Sequence, residues 1–316
     1  MRPVVIAHRG ASGHLPEHTL PSKALAYAMG ADYLEQDIVA TRDDRLIVVH
    51  DIHLDRVTNV AECFPGRARD DGRFYARDFD LVEIESLRAH ERTDEKGKPV
   101  FPARFPSAGE DFRLHSLERE LDLVAYLSEH GTRPVGIYPE IKHPGWHRKE
   151  GVDISLLVLE TLARYGYESH AATAYLQCFD EHELRRIRHQ LGCRLKLVQL
   201  IGEDNWTPEP TDFAAMRKKR GLETLASTVD GVGPWFNRLY KTRRRDGRIR
   251  DSGFVARAHD EGLVVHPFTF RSDALPPGFT DFEMLLEFAV DTLAIDGFFT
   301  DFPAAAVRFL KDRKTT

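Results

Sequence analysis

The sequence predicts an α/β fold, a TIM-type (β/α)8 barrel formed by residues 1–316 with a small subdomain inserted after the second strand. Three observations predict it. Short apolar runs rich in β-branched residues alternate with amphipathic helical patterns eight times along the chain. The residues able to do chemistry cluster at the carboxyl ends of those runs, where such barrels place their sites. One stretch, from 52 to about 115, breaks the rhythm.

The first run, residues 3–7, is too short for a helix and ends in His8-Arg9-Gly10, so it reads as a buried strand delivering a polar tip. Further strands are expected at 33–40, 135–141, 174–179, 195–201, 228–233, 263–268 and 295–299. Helical periodicity falls near 19–29, 116–130, 153–165, 180–190, 212–219, 252–261, 281–290 and 303–311. The run 46–50 extends the second strand as a hairpin. With its turn centred on Asp43 and Asp44, Asp37 would face His50. Residues 52–115 show little period and are rich in Arg, Asp, Phe and Pro. A structureless loop of that length is improbable in a compact domain, so the stretch is expected to form a subdomain over the barrel mouth.

Residues two apart on a strand share a face, which sets Glu35 beside Asp37 and Glu140 beside Lys142. Carboxylates held that close repel unless a proton or cation lies between them. Glu35, Asp37 and Glu140 are therefore candidate ligands of a hard divalent cation, Ca²⁺ or alternatively Mg²⁺, with positions left for water and substrate. His8 and His50 are the candidate acid–base pair. Three carboxylates, a divalent cation, Arg9, Lys142 and one phosphodiester bring the formal charge to zero, which suits a phosphodiester substrate. Polar residues recur at strand ends as Gln177, a further candidate for substrate contact, His266 and Thr300-Asp301.

Composition narrows the field. The chain has 316 residues, 42% of them hydrophobic and 30% charged, enough to bury a large core. A net charge of −6 and a pI near 6.2 argue against general nucleic-acid binding. The basic run Lys241 to Arg250 is short and reads as a solvated connection. No apolar run approaches the ~18 residues that a membrane span needs. The chain begins almost on its first strand, leaving no room for a signal peptide, so it is expected to be cytoplasmic or to have had a leader removed. Cys63, Cys178 and Cys193 are odd in number and form no CxxC pair, so no disulfide framework is expected. Two histidine pairs at helical spacing, His14 with His18 and His143 with His147, are interrupted by Pro16 and by Pro144-Gly145 and are rejected as zinc sites, although His18 or Glu17 could still line the pocket. No phosphate loop or dinucleotide fingerprint is present, so nucleotide cofactors are not indicated.

The chain resembles the glycerophosphodiester phosphodiesterases of the bacterial periplasmic type nearly end to end. The resemblance rests on His8-Arg9-Gly10-Ala11-Ser12-Gly13, Leu15-Pro16-Glu17-His18-Thr19-Leu20-Pro21, Ala31 to Asp37, His50-Asp51, Leu54 to Thr58 and Ile137 to Lys142. It continues through Tyr175 to Asp180, Leu197 to Ile201, Val264 to Pro267 and Gly297 to Pro303. It implies metal ligation by Glu35, Asp37 and Glu140, acid–base catalysis by His8 and His50, and phosphate binding by Arg9 and Lys142. The implied reaction is metal-dependent hydrolysis of a small glycerophosphodiester such as glycerophosphocholine, glycerophosphoethanolamine or glycerophosphoglycerol, through a cyclic phosphate or by direct attack of water. The products would be sn-glycerol 3-phosphate and an alcohol. The resemblance also favours the periplasm and leaves a homodimer open. Two other classes remain: a non-catalytic phosphate- or lipid-binding barrel, and a lipase-type phosphodiesterase acting on intact phospholipids. The latter needs an apolar rim that a mean hydropathy of −0.40 does not suggest.

Overall fold

The computed structural model describes residues 2–105, 112–206, 211–242 and 248–313. β1 (Val4–Ala7) leads through α1 (Leu20–Ala28) to β2 (Tyr33–Ala40), which turns back on β3 (Leu46–Val48). Two short helices follow in the irregular stretch, α2 (Val60–Cys63) and α3 (Leu81–Ser86). The alternation then resumes with α4 (Leu117–His130), β4 (Gly136–Ile141), α5 (Pro144–Lys149), α6 (Ile154–Arg164), β5 (Tyr175–Cys178) and α7 (Glu181–His189). Next come β6 (Lys196–Ile201), α8 (Phe213–Met216), α9 (Lys219–Ala226), β7 (Gly231–Pro234) and a hairpin of β8 (Tyr240–Thr242) and β9 (Ile249–Asp251). α10 (Phe254–Asp260), β10 (Val264–Val265), α11 (Phe282–Glu287), β11 (Gly297–Thr300) and α12 (Pro303–Asp312) complete the chain.

Eight parallel strands lie in the order β10-β7-β6-β5-β4-β2-β1-β11, with β3 antiparallel on β2. Across the last seam the Asp296 N–H donates to Val265 O at 3.1 Å and the Phe299 N–H to Pro267 O at 3.0 Å, so the sheet forms a nearly closed barrel. Helix starts follow their capping chemistry: Thr19, Ser116, Asp153 and Asp180 each accept a first-turn N–H through the side chain. No helix among the described residues is long and apolar enough to cross a membrane.

Strand alternation sorts the barrel interior into layers. Ile6, Tyr138, Val198 and Phe299 pack together with Tyr33 and Tyr175 as an apolar floor, Tyr138 stacked on Tyr175 with centroids 4.9 Å apart. Two residues further along the same strands stand His8, Glu140, Asp301, Glu35 and Gln177. The floor closes the barrel and the next layer carries the charges.

Residues 52–105 and 112–115 pack largely on an apolar cluster of their own. Leu54, Val57, Val60, Phe74, Phe79, Ile84, Leu87 and Leu114 gather there, joined to the barrel through Val39, Ile47 and Val49. Residues 106–111 of this stretch lie outside the described residues.

The structure corrects four expectations. The hairpin register is shifted by one: Ile38 opposes Val48, and Asp37 O accepts the Val49 N–H at 2.8 Å, so His50 does not face Asp37. The cause is a three-residue turn, in which Asp44 at φ 55 takes the left-handed position and Thr41 pairs with Arg45. The helical pattern at 212–219 divides into α8 and α9, and helix continues to residue 226, with Leu222 and Leu225 buried. Gly221 sits where a Cβ would lie 2.3 Å from Ala215 O, so α9 packs tightly on α8. The basic run is not merely a connection, since its ends pair as β8 and β9; residues 243–247 lie outside the described residues. Finally, Pro144 opens α5 rather than breaking a helix, because a first-turn residue needs no donor N–H.

Behind β2, Lys23 of α1 is fully buried, its ammonium on Glu120 of α4 at 2.9 Å and on the carbonyl oxygen of Glu35. Glu120 also meets Gln36 Nε2 at 2.8 Å and His115 Nε2 at 2.7 Å. Burial opposes ionisation of Glu120, but Lys23 and His115 outweigh it and hold the carboxyl at about 2. This carboxylate therefore contributes stability above its ordinary value of 4.5, lost as pH falls through about 2. Replacing Glu120 by Gln strands the Lys23 charge, and the expected cost is about 3–5 kcal/mol by urea unfolding at neutral pH. An unchanged midpoint would show that the pair does not carry this part of the fold.

Candidate active site

A cavity of about 750 Å³ opens at the carboxyl ends of the strands. Its wall contains His8, Arg9, Glu35, Asp37, His50, Glu140, Lys142 and Gln177; of the other residues marked in the sequence, Glu17, His18, His266, Thr300 and Asp301 are not among its lining residues.

The loop after β1 brings the first pieces together. Arg9 and Gly10 have positive φ, 59° and 91°, and the turned backbone aims the Arg9 N–H at Glu35 Oε2, 2.7 Å away. A Cβ at position 10 would lie 2.6 Å from Ser22 Oγ, so glycine suits both the conformation and the space.

The strand register then assembles the carboxylates, with Asp37 of β2 beside Glu140 of β4 and Glu140 beside Gln177 of β5. Glu35, Asp37 and Glu140 each offer one oxygen, and the three lie within 4.8 Å of one another. Burial, reinforced by Asp37 and Glu140, pushes Glu35 well above the usual carboxylate range. Burial and Asp37 push Glu140 up to about 8 against the pull of Lys142. Asp37 is buried too, but Lys142 and His18 outweigh the desolvation and keep it ionised. Two raised carboxyls around one ionised partner is what such crowding produces without a shared cation.

The donor set fits a metal ion. It is all oxygen and buried, and Asp37 Oδ1 has no hydrogen-bond partner although Lys142 Nζ lies 3.7 Å away. Each of the three carboxylates has an oxygen held in place: Gln177 Nε2 donates to Glu35 Oε1 at 3.1 Å, His18 Nε2 meets Asp37 Oδ2 at 2.6 Å, and Lys142 Nζ donates to Glu140 Oε1 at 2.6 Å. Gln177 thus braces a carboxylate from the cavity wall.

Both candidate acid–base histidines are backed by a carboxylate. His8 Nδ1 lies 2.6 Å from Asp301 Oδ1 and His50 Nδ1 lies 2.6 Å from Asp51 Oδ1. Although buried, Asp301 is held well below the usual carboxylate range by Arg271 and His8, and Asp51 by His50 and Arg92. Ionised carboxylates only accept, so each Nδ1 carries the proton and each neutral ring keeps its Nε2 lone pair. His8 Nε2 lies 4.0 Å from Glu35 Oε2, at the edge of the carboxylate group. Burial, opposed by Asp301, holds the His8 ring down at about 4, so it is neutral near pH 7.

Arg9 spans the site, its Nη1 on both Glu17 oxygens at 3.1 and 2.9 Å and its Nε 3.7 Å from Asp37. Glu17 also accepts from Arg92, at 3.0 and 2.6 Å.

The sequence marked Asp301 as a polar strand end and Glu17 or His18 as pocket lining but gave none of them a partner, and it gave Asp51 no role. Their signal was adjacency: Asp51 follows His50, Asp301 ends a strand, and Glu17 and His18 sit in the loop after the first strand. Arg92 and Arg104 gave none. The rejected zinc pairs stay rejected: His147 spends its ring nitrogens on Ala40 N–H and His143 O, at 3.1 and 3.0 Å, and His14 lies edge-on to Phe302. Cys178 and Cys193 are buried without a disulfide.

The chain is similar to known proteins over nearly its whole length. The profile of the glycerophosphoryl diester phosphodiesterase family matches residues 8–305. A glycerophosphodiester phosphodiesterase of Haemophilus influenzae is 43% identical over 98% of this chain and 90% of its own. One of Treponema pallidum is 37% identical over 97% and 91%. A solved structure from Silicibacter pomeroyi, provisionally named for the same activity, superposes with a TM-score of 0.74 at 25% identity, covering 99% of this chain and 94% of that one. An Oleispira antarctica phosphodiesterase solved with the product sn-glycerol-3-phosphate shares the fold with a TM-score of 0.64 at 19% identity, each chain covered to 98%.

Proposed function

The chain belongs to the glycerophosphoryl diester phosphodiesterase family and is a phosphodiester hydrolase, and we propose that it cleaves small glycerophosphodiesters to sn-glycerol 3-phosphate and an alcohol. The observation that carries the reading is the meeting, in one cavity, of three carboxylates, two cations and two imidazoles whose Nδ1 atoms are already engaged. A binding barrel would need the cations but gains nothing from two braced bases.

In this reading Glu35, Asp37 and Glu140 hold one divalent cation, Ca²⁺ or Mg²⁺. When bound, it supplies Lewis-acid polarisation of a phosphate oxygen. Arg9 and Lys142 lie against the same carboxylates and offset the charge that builds on the phosphoryl group. The glycerol C2 hydroxyl adjoins the phosphorylated carbon and attacks phosphorus without translational capture. One of His8 and His50 takes its proton through the free Nε2 lone pair; the other enters the step as an imidazolium, having taken up a solvent proton at Nε2 as the anionic diester binds, and gives that proton to the departing alkoxide. Water then opens the cyclic phosphate as the two rings exchange roles. The inserted segment, over its described residues 52–105 and 112–115, supplies none of the cavity's lining residues, and in this reading it limits the site to small diesters from outside that lining.

Turnover of glycerophosphocholine against intact phosphatidylcholine tests the reading. We expect the first to be hydrolysed and the second not, with activity lost on chelation and restored by Ca²⁺ or Mg²⁺. Full activity in thoroughly demetallated protein, or preference for the phospholipid, would overturn it.

The internal nucleophile has a separate test. A 2-deoxyglycerol analogue keeps the phosphodiester and the leaving group, so it should bind while turnover nearly vanishes. Direct attack by water predicts instead a rate within about tenfold, since one lost hydrogen bond is worth about 0.5–1.5 kcal/mol.

A further inference from the structure

The geometry points to two arginines of the inserted segment, Arg92 and Arg104, as the residues that position the acid–base histidines, one for each ring. Arg92 Nη1 donates to Asp51 Oδ2 at 2.5 Å, and the other oxygen of that carboxylate holds His50 Nδ1. Arg104 Nη2 donates to Asp301 Oδ2 at 2.7 Å, and the other oxygen of that carboxylate holds His8 Nδ1. The two arrangements have the same order: arginine, carboxylate, imidazole, cavity; at Asp301 Oδ2 a second arginine, Arg271 from the stretch after β10, also donates, through Nε at 2.6 Å. They share no residue, and Arg92 and Arg104 both come from the segment outside the barrel.

Each arginine is itself anchored. Arg92 forks onto Glu17 through Nε and Nη2 at 3.0 and 2.6 Å, and its side chain is 13% exposed. Arg104 forks onto Asp273 through Nε and Nη2 at 2.8 and 3.1 Å, donates to Ser12 O at 3.3 Å, lies over the Phe101 ring and is 5% exposed. A planar guanidinium held at two points fixes the direction of the carboxylate it touches, where a lysine would fix only a distance. An aspartate whose two oxygens are divided between an arginine and an imidazole cannot rotate without losing one of them. The ring plane, the tautomer and the aim of Nε2 are thereby set for His50 by the segment, and for His8 by the segment together with Arg271, which donates to the same Asp301 oxygen at 2.6 Å. Arg88 of the same segment is the contrast: it pairs with Glu62 on the surface, 52% and 69% exposed.

The inference rests on the proposed hydrolysis only for its kinetic readout, so two readouts are used. The first is structural. In ¹⁵N-edited proton spectra of the whole protein, Arg92→Ala should broaden or shift the His50 Nδ1–H signal and leave that of His8 unchanged, and Arg104→Ala should do the reverse. The second is kinetic, with glycerophosphocholine as substrate. Each arginine variant should lose about 10–100-fold in kcat, the usual cost of removing a partner that orients a working ligand or base. KM should move by less than about threefold. Arg88→Ala should leave both constants unchanged.

Double-mutant cycles then assign the path. Arg92→Ala should cost little more once Asp51→Asn is present but its full effect once Asp301→Asn is present, and Arg104→Ala should show the opposite pattern. Additivity within each pair, or NMR signals that do not respond to their own arginine, would overturn the proposal. Should either alanine variant fail to fold, Arg92→Gln and Arg104→Gln, which keep the stem and one donor, replace them in the same measurements. A wild type that shows the selective NMR responses but no hydrolysis would defeat the functional reading while leaving the positioning role in place.

Discussion

Three carboxylates share one buried point of this barrel, and their mutual repulsion is the constraint that the rest of the mouth answers. Parallel strands present side chains to the axis at every second residue, so Glu35 and Asp37 from one strand and Glu140 from its neighbour converge by register alone. Such a convergence would be costly in isolation. Lys142, Arg9 and His18 lie against it, and Lys23 sits behind it on the Glu35 carbonyl oxygen. Further carboxylates then pair those cations, Glu17 with Arg9 and Glu120 with Lys23. Charge alternates outward from the trio, and the apolar floor of Tyr33, Tyr138 and Tyr175 keeps water from entering below.

That pattern explains why the site was largely legible in the sequence. A residue at the polar end of an apolar strand must face either a cavity or solvent, and two such residues at spacing two must face the same one. Glu35, Asp37, Glu140 and Lys142 could therefore be placed without coordinates, as could the strand-end histidine His8. His50 entered the right cavity by the wrong route, because a left-handed Asp44 adds a residue to the turn and shifts the pairing. Nothing in the Asp43-Asp44 pair distinguishes a two-residue from a three-residue loop. The helix after β6 runs past the expected 219 to residue 226, and the missing Cβ at Gly221 lets α9 pack against α8.

The inserted segment was the least legible part, for a physical reason. Its residues show little strand or helix period to fix their direction, so nothing in the sequence separates Arg92 and Arg104 from the segment's other arginines. What fixes them is tertiary: a small apolar cluster around Phe74, Phe79 and Leu87, and carboxylates offered by the barrel itself. The barrel supplies both imidazoles, the aspartates that hold them and Arg271 on Asp301, while the segment supplies Arg92 behind Asp51 and Arg104 behind Asp301. A fold that places reactive groups on rigid strands can thus leave part of their final aim to a less regular region.

The most direct test of the central constraint is thermal unfolding of wild type and Glu35→Gln across a range of Ca²⁺ or Mg²⁺ concentrations, starting from chelated protein. Glutamine keeps the shape of the side chain, and the Gln177 amide, whose oxygen has no partner, can turn to accept from it. If repulsion around a shared cation organises the mouth, wild-type Tm rises with cation concentration as mass action requires. Glu35→Gln should then melt at or above the wild-type temperature in chelator and respond to the cation weakly or not at all. A variant that is destabilised in chelator and still gains stability from the cation as wild type does would contradict the account.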